Sequence, residues 1–162
     1  MYTRIFLLIT AFFISACIFE QKLDSDDVIV SFTLSDTTGR EASVFKSGEN
    51  FIVSFTVRNQ SDIALTYDYS NPLIHYTIFQ GNSQVCSSID EMNYTAVVLH
   101  GKLPSASTLK DQWVAPNTPG RIAAKNRVTL QPGTYQIKVY HSPLFNEYRL
   151  PQTPERTFKI TQ

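Results

Sequence analysis

Apolar and polar residues alternate along several short segments of the chain, beginning near Val28. Residues 28–34 read VIVSFTL and residues 51–57 read FIVSFTV, so every second side chain in each segment is large and apolar. A period of two places these side chains on one face of a β-strand. The same pattern predicts further strands over residues 63–67, 74–78, 127–130, 135–141 and 156–160.

Clusters of turn-forming residues separate these segments, and no segment shows a convincing helical period. Residues 36–39 read DTTG and residues 46–50 read KSGEN, which are compositions that end strands and reverse the chain. Several short strands joined by turns are typical of an all-β sandwich or barrel. We expect one such domain over residues 28–162.

The stretch from residue 86 to residue 126 is the least regular part of this domain. Residues 94–100 are compatible with a strand, but Pro104, Pro116 and Pro119 exclude a central strand over residues 102–120. A long loop or an irregular edge is therefore expected there. Because binding residues concentrate on loops of rigid scaffolds, we expect partner recognition to use residues 81–120.

One turn resembles a known structural motif. Residues 128–135 read VTLQPGTY, which resembles the L-x-P-G-x-Y turn of immunoglobulin-like sandwiches. In that motif Pro132 and Gly133 make a tight connection, and Tyr135 begins the next strand with its hydroxyl bonded back to nearby backbone. The resemblance implies an antiparallel immunoglobulin-like β-sandwich of about seven to nine strands.

Residues 56–61 (TVRNQS), residues 68–71 (DYSN) and Trp113 extend this resemblance. With them, residues 50–141 are similar to the bacterial intracellular proteinase-inhibitor domain family, whose members are small immunoglobulin-like sandwiches. The family is cytoplasmic, whereas this chain begins like an exported protein, and residues 81–120 depart from the family pattern. The resemblance therefore implies the fold but not inhibition, for which no residue can be matched.

The first residues have the pattern of an export signal. Arg4 precedes an apolar run over residues 5–14, which ends at small residues. The sequence ISAC at residues 14–17 resembles the bacterial lipobox, whose cysteine is diacylglyceryl-modified and becomes the first residue after cleavage. We expect a cleaved lipoprotein signal peptide over residues 1–16, a lipidated Cys17 and a polar tether over residues 17–27. The alternative is an ordinary secretory signal that contains Cys17.

Cysteine usage fits this interpretation. Cys17 and Cys86 are the two cysteines of the chain. If Cys17 carries lipid, Cys86 has no partner within the chain and is expected to be a small buried hydrophobe, with an intermolecular disulfide as the alternative.

Charge and motifs exclude several classes of function. The 14 Lys and Arg residues balance the 14 Asp and Glu residues, whereas nucleic-acid binders carry a basic surplus, so no nucleic-acid partner is expected. Neither a G-x-S-x-G elbow nor a glycine-rich phosphate loop occurs, so we expect no enzyme and no cofactor. His75, His100 and His141 lack the clustered spacing of metal ligands and are expected to be separate strand-face or loop residues, although the sequence leaves their convergence in space open.

Aromatic residues are the remaining candidates for a binding surface. Tyr140 opposes the apolar face of its predicted strand, and Tyr94 and Trp113 lie in the irregular region. Because Trp and Tyr are enriched in recognition surfaces, we expect these three side chains to contact a partner, with Trp113 as the main anchor. The alternative for Trp113 is a plug that folds back over the end of the sandwich.

These features together lead to a functional hypothesis. We expect a lipoprotein anchored to a membrane of the bacterial cell envelope, the outer membrane in a Gram-negative host, that binds another protein or serves as an accessory subunit of a membrane-associated assembly. An exported proteinase inhibitor is the first alternative. A carbohydrate- or cell-wall-binding module is the second.

Overall fold

Eleven β-strands form the regular structure of the residues that the computed structural model describes, which are 27–90, 97–117, 128–145 and 154–162. The strands are β1 (Val28–Ser35), β2 (Val44–Lys46), β3 (Phe51–Asn59), β4 (Leu65–Tyr69), β5 (His75–Gln80), β6 (Ser83–Ser87), β7 (Leu99–Leu103), β8 (Thr108–Ala115), β9 (Gly133–His141), β10 (Leu144–Phe145) and β11 (Glu155–Thr161). The chain is therefore all-β, as its alternating pattern predicts. Within these ranges no helix is long and apolar enough to cross a membrane.

The strands pair into three sheets. Sheet 1 has the order β1-β3-β8, sheet 2 the order β2-β11-β9-β5-β6, and sheet 3 the order β10-β4-β7. All pairings are antiparallel except that of β2 with β11, which is parallel. The purely antiparallel architecture expected from the sequence is thus wrong at one edge of sheet 2.

Sheets 1 and 2 pack against each other through aromatic side chains, as in a sandwich. The ring of Phe51 in sheet 1 stacks on Phe45 with 4.4 Å between centroids and lies 5.0 Å from Phe158, both in sheet 2. Tyr76 of sheet 2 stacks on Phe32 and on Trp113 of sheet 1, at 6.2 and 6.1 Å. Each large apolar side chain that is fully buried in this way contributes roughly 1.5–3 kcal/mol.

The alternating segments form strands where they were predicted, with one exception. Every second residue from Phe51 to Val57 is buried, as are Ile74, Tyr76 and Ile78. Residues 128–130 are not in a strand, although Leu130 is buried as expected. The described residues contain more strands than the predicted seven to nine, because β2 and β10 have only three and two residues and cannot show alternation.

The irregular region contains two strands. β7 begins within residues 94–100, which are compatible with a strand, whereas β8 lies where a long loop was expected and pairs along its whole length with β3. The prolines are accommodated because Pro104 lies between these strands and Pro116 follows β8, which is an edge strand of sheet 1. Pro119 lies outside the described residues.

The same observation corrects the prediction that Trp113 lies in a loop and anchors a partner. It lies in β8, not in a loop, and its side chain is 4% exposed in the core. The inward-facing positions of β8 alternate, so Trp113 and Ala115 both face sheet 2. The side chain is therefore unavailable as a surface anchor for a partner.

The turn before β9 has the local bond that its motif predicts. The Tyr135 hydroxyl donates a hydrogen bond to the carbonyl oxygen of Gln131 at 2.8 Å, and the ring is buried against Phe158. Gly133 begins β9 and Pro132 is exposed in the connection. This bond ties the start of β9 to the segment before it.

Candidate functional site

A groove with a volume of about 500 Å³ lies where sheets 2 and 3 meet. Its walls come from the ends of β4, β5 and β9, from β10, and from residues that precede β5 and β7 and follow β6. We call it the Tyr140 groove. Its apolar lining consists of Pro72, Ile89, Val97, Val98 and Leu144 together with the rings of Tyr69 and Tyr140. A volume of this size lies within the range of ligand sites.

The apolar side chains of the groove are unusually exposed. Tyr140 is 74% exposed, Leu144 67% and Val98 64%. Eight large hydrophobic residues are exposed among the described residues, and four of them, Val97, Val98, Tyr140 and Leu144, line this one groove. Concentrations of exposed apolar surface mark interaction sites more often than singly scattered residues do.

The exposure of Tyr140 follows from the alternation of β9. Tyr135, Ile137 and Val139 face the core, so Tyr140 faces outward. β9 continues through His141, and β10 then turns toward β4, where Leu144 pairs with Asp68. Tyr140 and Leu144 consequently flank the same opening.

Two histidines lie side by side in the groove. His75 in β5 pairs with His141 in β9, and the ring of Tyr140 lies 5.3 Å from that of His75. Oγ1 of Thr77 lies 3.3 Å from Nε2 of His75. Partial burial lowers the pKa of His75, Asp90 opposes this shift, and His141 adds to it. His75 is therefore neutral at and above neutral pH.

The third histidine is close to the same site. Nδ1 of His100 in β7 lies 2.6 Å from Oδ1 of Asp68, and Asp68 itself lines the groove. All three histidines are strand residues, as expected, but the topology brings them to one end of the molecule. Within the described ranges, no group of three or more His, Cys, Asp or Glu side chains is arranged to hold a metal ion.

The predicted site residues do not lie together in the structure. Tyr140 lies on the groove, Trp113 is in the core, and Tyr94 and Cys17 fall outside the described residues. The predicted corner at Tyr135 is six residues from His141 along β9, roughly 20 Å away. It is thus a structural element and does not belong to the groove.

Sequence reasoning missed most of the groove because its parts come from distant segments. His75, Asp68 and Leu144 have no common spacing that would connect them. The signal that was present is the run Val97-Val98-Leu99, which breaks the alternation and therefore cannot bury all its side chains on one face. All three residues are exposed.

Cys86 is a buried thiol, as its isolation in the sequence indicates. Its side chain is 2% exposed and free. Burial, with a smaller effect of Asp90, raises its pKa to about 12. The thiol therefore stays protonated and behaves as a small apolar side chain.

No family model and no curated protein matches the chain. Among solved structures, it is similar to an alkylpurine DNA glycosylase of Pseudomonas fluorescens bound to DNA containing an abasic site analog, with 13% identity and a TM-score of 0.38 over 84% of this chain and 31% of that one. It is also similar to a β-glucosidase of Listeria innocua in complex with gluconolactone, with 13% identity and a TM-score of 0.39 over 83% of this chain and 16% of that one. The chain thus spans less than a third of either enzyme, and these similarities are too weak to transfer an activity.

Proposed function

We propose that this chain is a membrane-anchored lipoprotein of the bacterial cell envelope whose immunoglobulin-like domain binds another protein through the Tyr140 groove without catalysing a reaction. The packing of sheet 1 on sheet 2 and the hydrogen bond of the Tyr135 hydroxyl support the immunoglobulin-like assignment. The lipobox-like ISAC sequence at residues 14–17 supports the anchor. The protein would serve as a binding or accessory subunit of a membrane-associated assembly.

The observation that carries the binding function is the concentration of exposed apolar side chains in one groove. Covering the exposed parts of Tyr140, Leu144 and Val98 would contribute on the order of 3 to 6 kcal/mol. That gain offsets part of the entropy lost on association, which area alone does not guarantee. A folded domain that leaves this surface open is expected to cover it with a partner.

The position of the groove is compatible with a membrane anchor. The chain enters the domain beside Asn59, because Val28 pairs with Asn59 and the amide of Gln60 donates to the carbonyl of Asp27. The side-chain amide of Asn59 donates to the carbonyl of Leu103, and Leu103 pairs with Leu65 at the first residue of β4. The groove begins at Asp68 and Tyr69, at the opposite end of β4 from Leu65, so in the proposed form it would face away from the lipid.

The binding function can be tested by changing the groove without disturbing the core. The lipoprotein carrying Tyr140→Ser and Leu144→Ser should lose a cross-linked partner that the wild type captures from detergent extracts of its native membrane. Both side chains are exposed, so the unfolding midpoint should change little.

A matched control carries Ile29→Ser and Val44→Ser, which remove two other exposed apolar side chains outside the groove. This variant should capture the partner as well as the wild type does. Equal recovery by both double variants would contradict the proposal, because apolar surface in the groove would then be irrelevant to binding.

A further inference from the structure

The charged side chains around the Tyr140 groove are acidic. Asp68 lines the groove with a side chain that is 37% exposed, and Asp90 is close enough to raise the pKa of His75. Among the described residues, the lining includes neither lysine nor arginine. Asp68 therefore brings negative charge to the groove beside an apolar wall, next to a His75 that is neutral at and above neutral pH.

The carboxylate of Asp68 is part of the groove lining. Oδ1 is the atom that contacts His100, at 2.6 Å, and the His100 ring is 80% exposed, so this contact does not close the groove. Both oxygens of Asp90, in contrast, accept hydrogen bonds from Ser87. Asp68 is thus the acidic group that an incoming cation would meet.

The aromatic and aliphatic walls suit the same kind of ligand. Tyr69 and Tyr140 both line the groove, and a cation near the face of such a ring gains about 0.5–1 kcal/mol at an exposed site. Lysine and arginine bring long apolar stems that pack along aliphatic surface while the charged head stays at a polar group. Val98 and Leu144 provide aliphatic surface of this kind.

We propose that the occupant of the groove is a segment of the partner protein in which a lysine or arginine lies between apolar side chains, with the cation at Asp68 and the apolar residues against Tyr140, Leu144 and Val98. This inference rests on the proposed binding function and adds the chemistry of the partner. An acidic segment would place a carboxylate beside Asp68 and would be repelled. A purely apolar segment would leave Asp68 partly desolvated without a counter-charge.

The test uses three labelled peptides of defined sequence, acetylated at the amino end and amidated at the carboxyl end. They read Ser-Leu-Val-Lys-Val-Leu-Ser, the same with Glu in place of Lys, and the same with Gln. Binding to the full-length lipoprotein in detergent is measured by fluorescence anisotropy at pH 8, where ordinary imidazoles are neutral. The lysine peptide should bind about tenfold more tightly than the glutamate peptide, a difference of about 1.4 kcal/mol.

Variants separate the charge from the apolar contacts. Asp68→Asn should remove most of the preference for lysine, because the neutral amide keeps the shape of the carboxylate and loses its charge. Tyr140→Ser should weaken all three peptides. Glu49→Gln removes one exposed acidic charge outside the groove and should leave the preference unchanged.

The outcomes also distinguish this inference from the function on which it rests. Equal binding of the three peptides, tighter binding of the glutamate peptide, a lysine preference that survives Asp68→Asn, or no binding by any of the peptides would each overturn the inference. The proposed binding function is decided separately by capture of the partner with the groove variants. If capture depends on Tyr140 and Leu144 but any of these peptide results is obtained, the proposed binding function is supported and the inference of a basic segment is wrong.

Discussion

At the scale of single residues, the buried side chain of Asn59 fixes the backbone around it. The side-chain amide of Asn59 is completely buried and donates to the carbonyl oxygens of Ile63 at 2.7 Å and of Leu103 at 3.2 Å, while its oxygen accepts from the backbone amide of Ser61 at 3.1 Å. These bonds connect the end of β3 to the end of β7. Such satisfied groups stabilise one specific arrangement of the chain, because an unpaired buried amide would be costly.

The hydroxyl of Tyr76 is a second case. It donates to the Asp111 carboxylate at 2.9 Å across the interface of sheets 1 and 2. Burial raises the pKa of Tyr76, and the neighbouring Asp111 carboxylate adds to the shift. Tyr76 is therefore a neutral donor, which lets the Asp111 carboxylate remain hydrogen-bonded at the interface of the two sheets. The sequence shows neither Asn59 nor Asp111 to be special, because Asn59 also bonds to Leu103, 44 residues away, and Asp111 bonds to Tyr76, 35 residues away.

Tyr135 gives the residue-scale prediction, since its hydroxyl contact was expected from the turn motif. Tyr135→Phe should lower the free energy of unfolding by roughly 0.5 to 2 kcal/mol, the cost of losing one partly buried hydrogen bond. The ring and its stacking on Phe158 would be retained. Denaturant unfolding measures the change.

Tyr140→Phe is the matched control for this prediction, because it removes a hydroxyl from a tyrosine that is 74% exposed. It should leave the unfolding midpoint nearly unchanged. If Tyr135→Phe left the midpoint equally unchanged, water would replace the hydroxyl as the hydrogen-bond donor to the Gln131 carbonyl. The hydrogen bond of the corner would then contribute no net stability.

At the scale of strands and sheets, the alternation of apolar residues predicts the long strands with one buried face. It misses the short strands and those that form mainly because they pair with a neighbouring strand. β3 and β9 bury every second residue, β1 does so except at the half-buried Val30, and β5 also buries Thr77 between Tyr76 and Ile78; all four were predictable from the alternating apolar residues. β8 was not predicted, since Trp113 and its neighbours lie between prolines that favour a loop; its pairing with β3 overrides that local preference. The groove was even less predictable, because it exists only where the ends of several such strands meet.

Sheet 3 contains a glycine beside which a neighbouring ring occupies the space that a side chain would need. Gly101 in β7 pairs with Tyr67 in β4, and a Cβ atom built on Gly101 would overlap the Tyr67 ring. That ring cannot easily swing away, because it packs on Phe145 at 5.3 Å and on Tyr69 at 5.5 Å. Since Tyr69 lines the groove, the fit of Gly101 under Tyr67 also positions one groove wall.

The element-scale prediction follows from this close approach. Gly101→Ala should destabilise the domain by about 1–3 kcal/mol through overpacking of sheet 3. Gly133→Ala is the matched control in β9, where the nearest atom to a new Cβ is the flexible side-chain amide of Gln80 at 3.0 Å, and it should cost less. Chemical denaturation of the two variants compares them, and a loss at Gly101 no larger than that at Gly133 would show that Tyr67 can move aside freely.

At the scale of the whole molecule, the sequence predicts the all-β class of the fold better than the binding surface. The alternation that begins at Val28 corresponds to β1, the first strand of the described residues. The core follows from local patterns, since Phe51, Tyr76 and Ile137 each lie in an alternating segment. The Tyr140 groove depends on how sheet 3 closes against the end of sheet 2, and that closure is set by pairings such as Leu144 with Asp68 that no local pattern contains.

The last prediction concerns the attachment of the whole molecule to its membrane. In the proposed form, acyl chains on Cys17 hold the domain through the polar tether of residues 17–27, because two or more chains anchor a protein stably where one gives only marginal binding. Cells fed radiolabelled palmitate should therefore incorporate label into the wild-type protein and not into Cys17→Ala, which should also leave the membrane fraction. Cys86→Ala is the matched control: its thiol is buried, and the variant should keep both the label and the membrane location. Equal labelling of wild type and Cys17→Ala would show that the lipobox-like sequence does not direct lipidation of Cys17. The groove would then belong to a protein that is held at the membrane by other means or is not held there at all.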